Sequence, residues 1–188
     1  MKIVILILIA ALLGSCTEKN INAQKLSIPF RQEKTFEILL SKAATPIVDK
    51  GEARVNNINI ACGKINALRL KSGEEFSFNK ILGKRTEAKG YKTAPVIEDG
   101  EYAEGVGGGI CQVSSTGYMA AAAAGLEITE RNPHTKPVGY APDGDDATVV
   151  YGVKDLKFIN STMSDIVIYC HADEDTVAVK IIAILKYY

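Results

Sequence analysis

Of the four cysteines in this 188-residue chain, Cys111 has the setting of a nucleophile. It follows Gly105-Val-Gly-Gly-Gly109 and opens a run of small and apolar residues that reaches Ala124 and stops at Gly125. Such a run predicts a buried helix with a glycine just past its end. A helix N-terminus presents unpaired N–H groups and a partial positive charge. Both favour thiolate over thiol, and the same N–H groups can stabilise the oxyanion formed when a thiolate attacks a carbonyl. Gly107, Gly108 and Gly109 let that backbone approach a substrate closely, because they carry no side chain. His134, one of two histidines, follows in Arg131-Asn-Pro-His134, and Asp146 closes Asp143-Gly-Asp-Asp146. In this set Cys111 attacks, His134 accepts and returns the proton, and Asp146 orients the imidazole.

Cysteine at a helix start, then histidine, then aspartate on or beside later strands, resembles the layout of papain-like and transglutaminase-like enzymes; the resemblance is one of order alone. The residues also fit blander roles. Glycines before a small-residue helix mark close packing around an inert thiol. A histidine beside Pro133 can serve a turn, and the aspartates can tip a solvated hairpin. Other motifs fail on inspection. Gly105-Val-Gly107 lacks the third glycine of a dinucleotide fingerprint, and no phosphate loop or G-x-S-x-G elbow is present. The histidines and cysteines show no paired short spacing for zinc. The sequence therefore calls for no metal and no cofactor.

The elements that must position this set can be read coarsely. Thr35–Leu40 predicts a strand. Val55, Ile58, Cys62, Ile65 and Leu68 recur at helical spacing, which predicts an amphipathic helix over 53–68. Glu75–Asn79 reads as a short strand, and Asp99-Gly100 as a two-residue hairpin turn between Pro95–Glu98 and Glu101–Ala103. Further strands are expected at Leu126–Glu130, Thr148–Tyr151, Leu156–Ile159, Ile166–His171 and Thr176–Leu185. Asp173-Glu-Asp175 should turn the last two into a hairpin. The class is α+β: a mostly antiparallel sheet around one buried small-residue helix.

The chain begins with Met-Lys, an apolar run from Ile3 to Gly14, then Ser15-Cys16. This pattern reads as an export signal over 1–15 that is too short to span a bilayer comfortably. Leu13-Gly14-Ser15-Cys16 resembles a bacterial lipobox, which would make Cys16 the lipidated first residue of a membrane-anchored protein outside the cytoplasm. Residues 16–34 then read as the lipidated cysteine with a polar tether, and 35–188 as one domain. Cys62 and Cys170 read as small buried hydrophobes, with a bridge between them left open. Zero net charge, 23% charged and 47% hydrophobic residues exclude disorder and argue against nucleic acid as a partner.

Gly107-Gly-Gly-Ile-Cys-Gln-Val-Ser-Ser-Thr116 resembles the signature of the VanW-like proteins. The likeness continues through Arg54-Val-Asn-Asn-Ile58, Gly73–Asn79, Gly83-Lys-Arg-Thr86, Gly90-Tyr91, Arg131 with His134, and Asp146–Val149. It runs on to Asp155–Phe158 and covers roughly residues 35–172. Gly117, Met119 and Asn132 depart from the usual residues at their positions. The resemblance implies a cell-envelope protein without fixing its reaction. Two functions follow. One is a lipid-anchored enzyme using Cys111 for acyl transfer or amide hydrolysis on cell-wall peptides. The other is a non-catalytic module for cell-wall peptide or glycan, recognised by the glycine loop with Gln112, Ser114, Ser115, Tyr91 and Tyr140.

Overall fold

The computed structural model describes residues 34–98 and 101–187. The expected signal, Cys16, the tether up to residue 33 and the Asp99-Gly100 turn lie outside the described residues. Lys34 already belongs to the first strand, β1 (Lys34–Pro46), which runs six residues beyond the expected Leu40. It is followed by α1 (Glu52–Ile65), β2 (Leu68–Leu70), β3 (Glu75–Ser77), α2 (Phe78–Leu82) and a 3-10 turn at Glu87–Lys89. Strands β4 (Thr93–Glu98) and β5 (Glu101–Val106) lead into α3 (Ile110–Ala123). The chain ends with β6 (Glu127–Glu130), β7 (Lys157–Ile159), β8 (Asp165–Ala172) and β9 (Thr176–Tyr187).

The α+β class holds, and every strand pairing among the described residues is antiparallel. The strands divide into three sheets rather than one: β1-β9-β8-β2, β3-β7-β6, and the β4-β5 hairpin. Strict alternation builds the largest sheet. Ile166, Ile168 and Cys170 on β8 and Val177, Val179 and Ile181 on β9 point to the core, while their neighbours face out. The β8–β9 turn is tied by Asp173, whose Oδ1 accepts the N–H groups of Asp175 and Thr176 at 2.9 and 2.7 Å.

Against this sheet lie α1 and α3. Helix α1 buries Ile58, Ala61, Cys62 and Ile65 but stops short of residue 68. Asn66 leaves the helix, Ala67 takes φ 60°, and Leu68 pairs with Ile168 in β2. Leu68 keeps the helical spacing of its predecessors and yet belongs to a strand. The expected strand over 75–79 is also cut short. Ser77 caps α2 by accepting the N–H of Lys80 at 3.1 Å, so Phe78 and Asn79 turn into a helix.

Helix α3 is buried along its first two turns, and its polar side chains are all satisfied there. Ser41 on β1 donates to the Ala120 carbonyl at 2.7 Å, and Thr45 meets Thr116 at 2.8 Å. Gln112 donates to Thr45 and to the Pro46 carbonyl. Gly125, at φ 70°, ends the helix, with its N–H on Ala122 and that of Leu126 on Ala121, a Schellman cap. The alanine run is not buried throughout: Ala120 and Ala121 are covered, but Ala122 and Ala123 emerge into solvent. The expected strand at 148–151 is a single bridge, Val150 to Lys154. The polar groups of this segment are used across the fold instead, with Ala147 on Ser115 and Thr148 on Asn132.

Candidate functional site

The glycine loop is set by contact as well as by dihedral angle. Gly107 and Gly109 both sit at φ 100°, a region open to glycine and strained for other residues. Gly108 is excluded from substitution by space. A Cβ there would come within 2.5 Å of the Pro95 carbonyl oxygen and 2.8 Å of the Ala94 backbone. Asn57, fully buried on α1, donates to the carbonyls of Gly108 (3.0 Å) and Lys92 (2.8 Å) and accepts the Lys92 N–H (2.7 Å). One side chain thus clamps the loop to the strand beside it.

This loop delivers Cys111, half-buried, in the first turn of α3. Its Sγ lies 3.6 Å from Thr148 Oγ1 and 3.7 Å from the Val149 carbonyl. Two of the helix's early donors are already committed, Ile110 N–H to Gly107 and Gln112 N–H to Gly109. The free N–H cluster expected at this end is correspondingly smaller.

His134 and Asp146 both come from the long connection between β6 and β7. Asp146 Oδ2 accepts the His134 backbone N–H at 2.6 Å and meets Nδ1 of the ring at 2.5 Å. Its Oδ1 accepts from Arg131 Nη2 at 3.0 Å. Arg131 also donates to the carbonyls of Asp146 and Gly144 and stacks over Tyr118. With Nδ1 taken by the carboxylate, Nε2 is the ring nitrogen left free of it. The structure therefore pairs the imidazole with the carboxylate and sets Cys111 within range of the ring's charge.

His134 acts electrostatically on both Cys111 and Asp146. Burial pushes the Cys111 thiol up, but the neighbouring His134 and the Val149 carbonyl outweigh it and hold the group below its ordinary value. Burial pushes His134 down, and hydrogen bonding and charge from Cys111 and Asp146 raise it above the ordinary histidine value. Burial raises Asp146, yet the His134 backbone and ring and the Arg131 charge keep it low. All three directions favour thiolate, imidazolium and carboxylate together.

The expected binding residues separate into two groups. Gly107, Gly108 and Gly109 run directly into the helix that carries Cys111 and are themselves buried. Tyr140 stands edge-on to the His134 ring, 6.5 Å between centroids. Its hydroxyl is pushed upward by burial and by the Cys111 charge, so it remains a donor. Gln112, Ser114 and Ser115, in contrast, are fully buried and form no recognition surface. Gln112 accepts from Arg54 and donates to β1. Ser114 donates to the Ala147 carbonyl at 2.6 Å, and Ser115 accepts the Ala147 N–H at 2.9 Å. These serines dock the Asp146–Val149 segment onto α3, which places Thr148 and the Val149 carbonyl beside Cys111. Tyr91 is 1% exposed, but its hydroxyl, unlike those of the two serines, meets no partner among the described residues. Arg54, Arg85, Asn57 and Thr148 were not among the expected site residues, although each lies in a stretch that carries the family likeness.

The family model described as VanW like protein matches residues 53–182. The chain belongs to the VanW-like family. The matched span holds Cys111, His134 and Asp146 together with Arg54 and Arg85, and it begins after β1. Among relatives, the chain is similar to the uncharacterized protein YoaR of Bacillus subtilis (strain 168), 45% identical over 129 residues, which cover 69% of this chain and 43% of that protein. It is also similar to the vancomycin B-type resistance protein VanW of Enterococcus faecalis (strain ATCC 700802 / V583). There the identity is 28% over 137 residues, covering 70% of this chain and 50% of that one. The chain thus spans about half the length of these VanW-like relatives. No solved structure matches it.

Proposed function

We propose that this VanW-like chain is a cell-envelope lipoprotein that uses Cys111 for acyl transfer or amide hydrolysis on cell-wall peptides. The observation that carries the reading is Cys111 at the start of a buried helix, its thiol held below the ordinary value beside a His134 ring that Asp146 fixes by Nδ1. The Cys111 thiolate attacks an amide carbonyl, forming a carbon–sulfur bond. The His134 imidazolium then gives its proton to the departing amine as the carbon–nitrogen bond breaks. His134, neutral again, takes a proton from an incoming water or amine, which adds to the thioester carbonyl, and the Cys111 thiolate leaves. Asp146 holds the imidazole by Nδ1 throughout. The resistance named for one relative supports seeking the substrate in the cell wall. The apolar run before Cys16 supports an exported, lipid-held protein.

The test is incubation of the purified domain with cell-wall peptides and mass analysis of both partners. Wild type should release or transfer a fragment and carry an acyl adduct at Cys111, while Cys111→Ala should do neither and keep its fold. Retention of wild type and Cys111→Ala alike on purified sacculi, with no turnover by either, would move the assignment to a binding module. The anchor is checked separately by labelling cells with a fatty-acid analogue; Cys16→Ala should lose the label and leave the membrane fraction.

A further inference from the structure

Arg85, in the connection after α2, is held by several contacts. Its stem lies against the glycine loop, with Cβ and Cγ both 3.4 Å from where a Gly107 side chain would start. Nη1 donates to Asn79 Oδ1 at 2.6 Å and to the Gly83 carbonyl at 3.2 Å, and the guanidinium rests over Phe78, 5.7 Å from the ring centre. Among the described residues it makes no ion pair. Asp155, an acid within reach of its field, is occupied by the Ser77 hydroxyl and the N–H groups of Asn79 and Leu156. Arg85 Nη2 is buried without a partner, and so is the hydroxyl of Tyr91. Arg85 interacts electrostatically with both Cys111 and Tyr91. A guanidinium with a buried donor that no acceptor meets is costly to keep, even in the field of Cys111 and Asp155. It makes sense where an anion arrives from outside. Arg131, by comparison, is fully engaged by Asp146 and Gly144.

We infer that Arg85 and Tyr91 form a carboxylate-binding subsite beside Cys111, so that the substrate is a peptide carrying a free carboxylate close to the bond attacked. The inference rests on the nucleophile reading above and adds the substrate's charge. One guanidinium N–H edge and one phenol O–H supply donors for the two oxygens of a planar carboxylate. A phosphate would leave further oxygens unpaired.

Two alkylating reagents of one size test it, iodoacetate and iodoacetamide, which differ by carboxylate against amide. In each, the thiolate forms a carbon–sulfur bond and iodide departs. Taking the ratio of the two rates at one pH cancels the thiolate fraction. At Cys111 that ratio should exceed the ratio for 2-mercaptoethanol by on the order of tenfold. It should fall to the small-thiol level in Arg85→Gln and be partly retained in Arg85→Lys. A wild-type ratio equal to that of 2-mercaptoethanol, or one unchanged in Arg85→Gln, overturns the subsite. Should Arg85→Gln not fold, the wild-type ratio and its decline with added salt decide the matter. The iodoacetamide rate by itself reads the nucleophile. A Cys111 no faster than 2-mercaptoethanol at pH 7 sinks the proposed catalysis while leaving the subsite open to a second measurement. That measurement is the melting temperature of Cys111→Ser with N-acetylglycine or its amide. A rise with the acid alone, absent when Arg85→Gln is added, supports the subsite; no rise, or equal rises, ends it.

Discussion

His134 holds Asp146 through Nδ1 and acts on the Cys111 thiol electrostatically, so its removal should show first in the thiol. With His134→Ala, burial acts on Cys111 without its main opponent, and the midpoint of the iodoacetamide rate against pH should move upward. The rate at pH 7 should fall by roughly tenfold or more; an unchanged profile would mean that the imidazole does not set the thiolate. Asp146 gives a second expectation, in stability. Its folded pKa lies below the ordinary 3.8. Its contribution is therefore present above that value and is lost as the pH falls through the depressed one. Asp146→Asn should cost about 1.5–3 kcal/mol at pH 7, the scale of hydrogen bonds to a charged group, and should lose less stability than wild type between pH 5 and 2. Urea unfolding across that range checks it, and parallel curves for the two proteins would refute the linkage. At this scale the sequence was informative where residue type dictates chemistry. A cysteine behind glycines, with a histidine and an aspartate downstream, could be named. Arg85 and Arg131 could not, because an arginine is an ordinary surface residue until a fold buries it. Ser114 and Ser115 were misassigned for the same reason: a hydroxyl reads alike whether it meets a ligand or the Ala147 backbone.

The elements explain which local changes the site tolerates. Gly117 lies on the buried side of α3, next to an apolar cavity lined also by Val113, Phe78 and Phe158. A Cβ there would meet Leu156 at 3.7 Å, ordinary contact. Gly117→Ala should stabilise the protein by about 0.5–1 kcal/mol, through helix propensity and better packing. That corresponds to a rise in melting temperature of about 2–4 °C per kcal/mol for a chain of this size. Gly108→Ala should do the reverse. Its Cβ would strike the backbone of Pro95 and Ala94 rather than a movable side chain, costing about 2–3 kcal/mol. Thermal unfolding of the two variants side by side tests both signs, and a Gly108→Ala protein as stable as wild type would contradict the close approach. The same elements show where periodicity misleads. The spacing of Val55, Ile58, Cys62 and Ile65 found α1, but its continuation to Leu68 did not mark the end. That end depends on Ala67 adopting φ 60°, which no apolar pattern records. Ser77 ended the Glu75–Asn79 strand as a helix cap, a role a serine fills only when the next N–H groups turn toward it.

Across the whole molecule, the site is assembled from segments far apart in the chain. Arg54 comes from α1, Arg85 from the connection after α2, Cys111 from α3, and His134 and Asp146 from the β6–β7 connection. The short signature around Cys111 identified the family, but the order in which these segments meet is a matter of sheet register and loop path. Three sheets instead of one follow from that: β4 and β5 close on each other to carry the glycine loop, leaving β3, β6 and β7 to pair separately. The three described cysteines are unbridged and report on two levels of this structure. Cys111 is reached from the site. Cys62 on α1 and Cys170 on β8 are 3% and 2% exposed and face each other across the packing between helix and sheet. The neighbouring Cys62 thiol, then burial, push the Cys170 thiol far above its ordinary value, so neither accessibility nor ionisation favours its reaction. Exposing the pair requires α1 to lift from the four-stranded sheet, which means disrupting the main core rather than opening a loop. Brief treatment of the native domain with iodoacetamide should therefore add a single label among these three, at Cys111. In rising urea, labels at Cys62 and Cys170 should appear together, with the midpoint at which the circular dichroism signal is lost. Labelling of Cys170 in native buffer at a rate near that of Cys111 would show instead that α1 separates from the sheet well before the rest of the molecule unfolds.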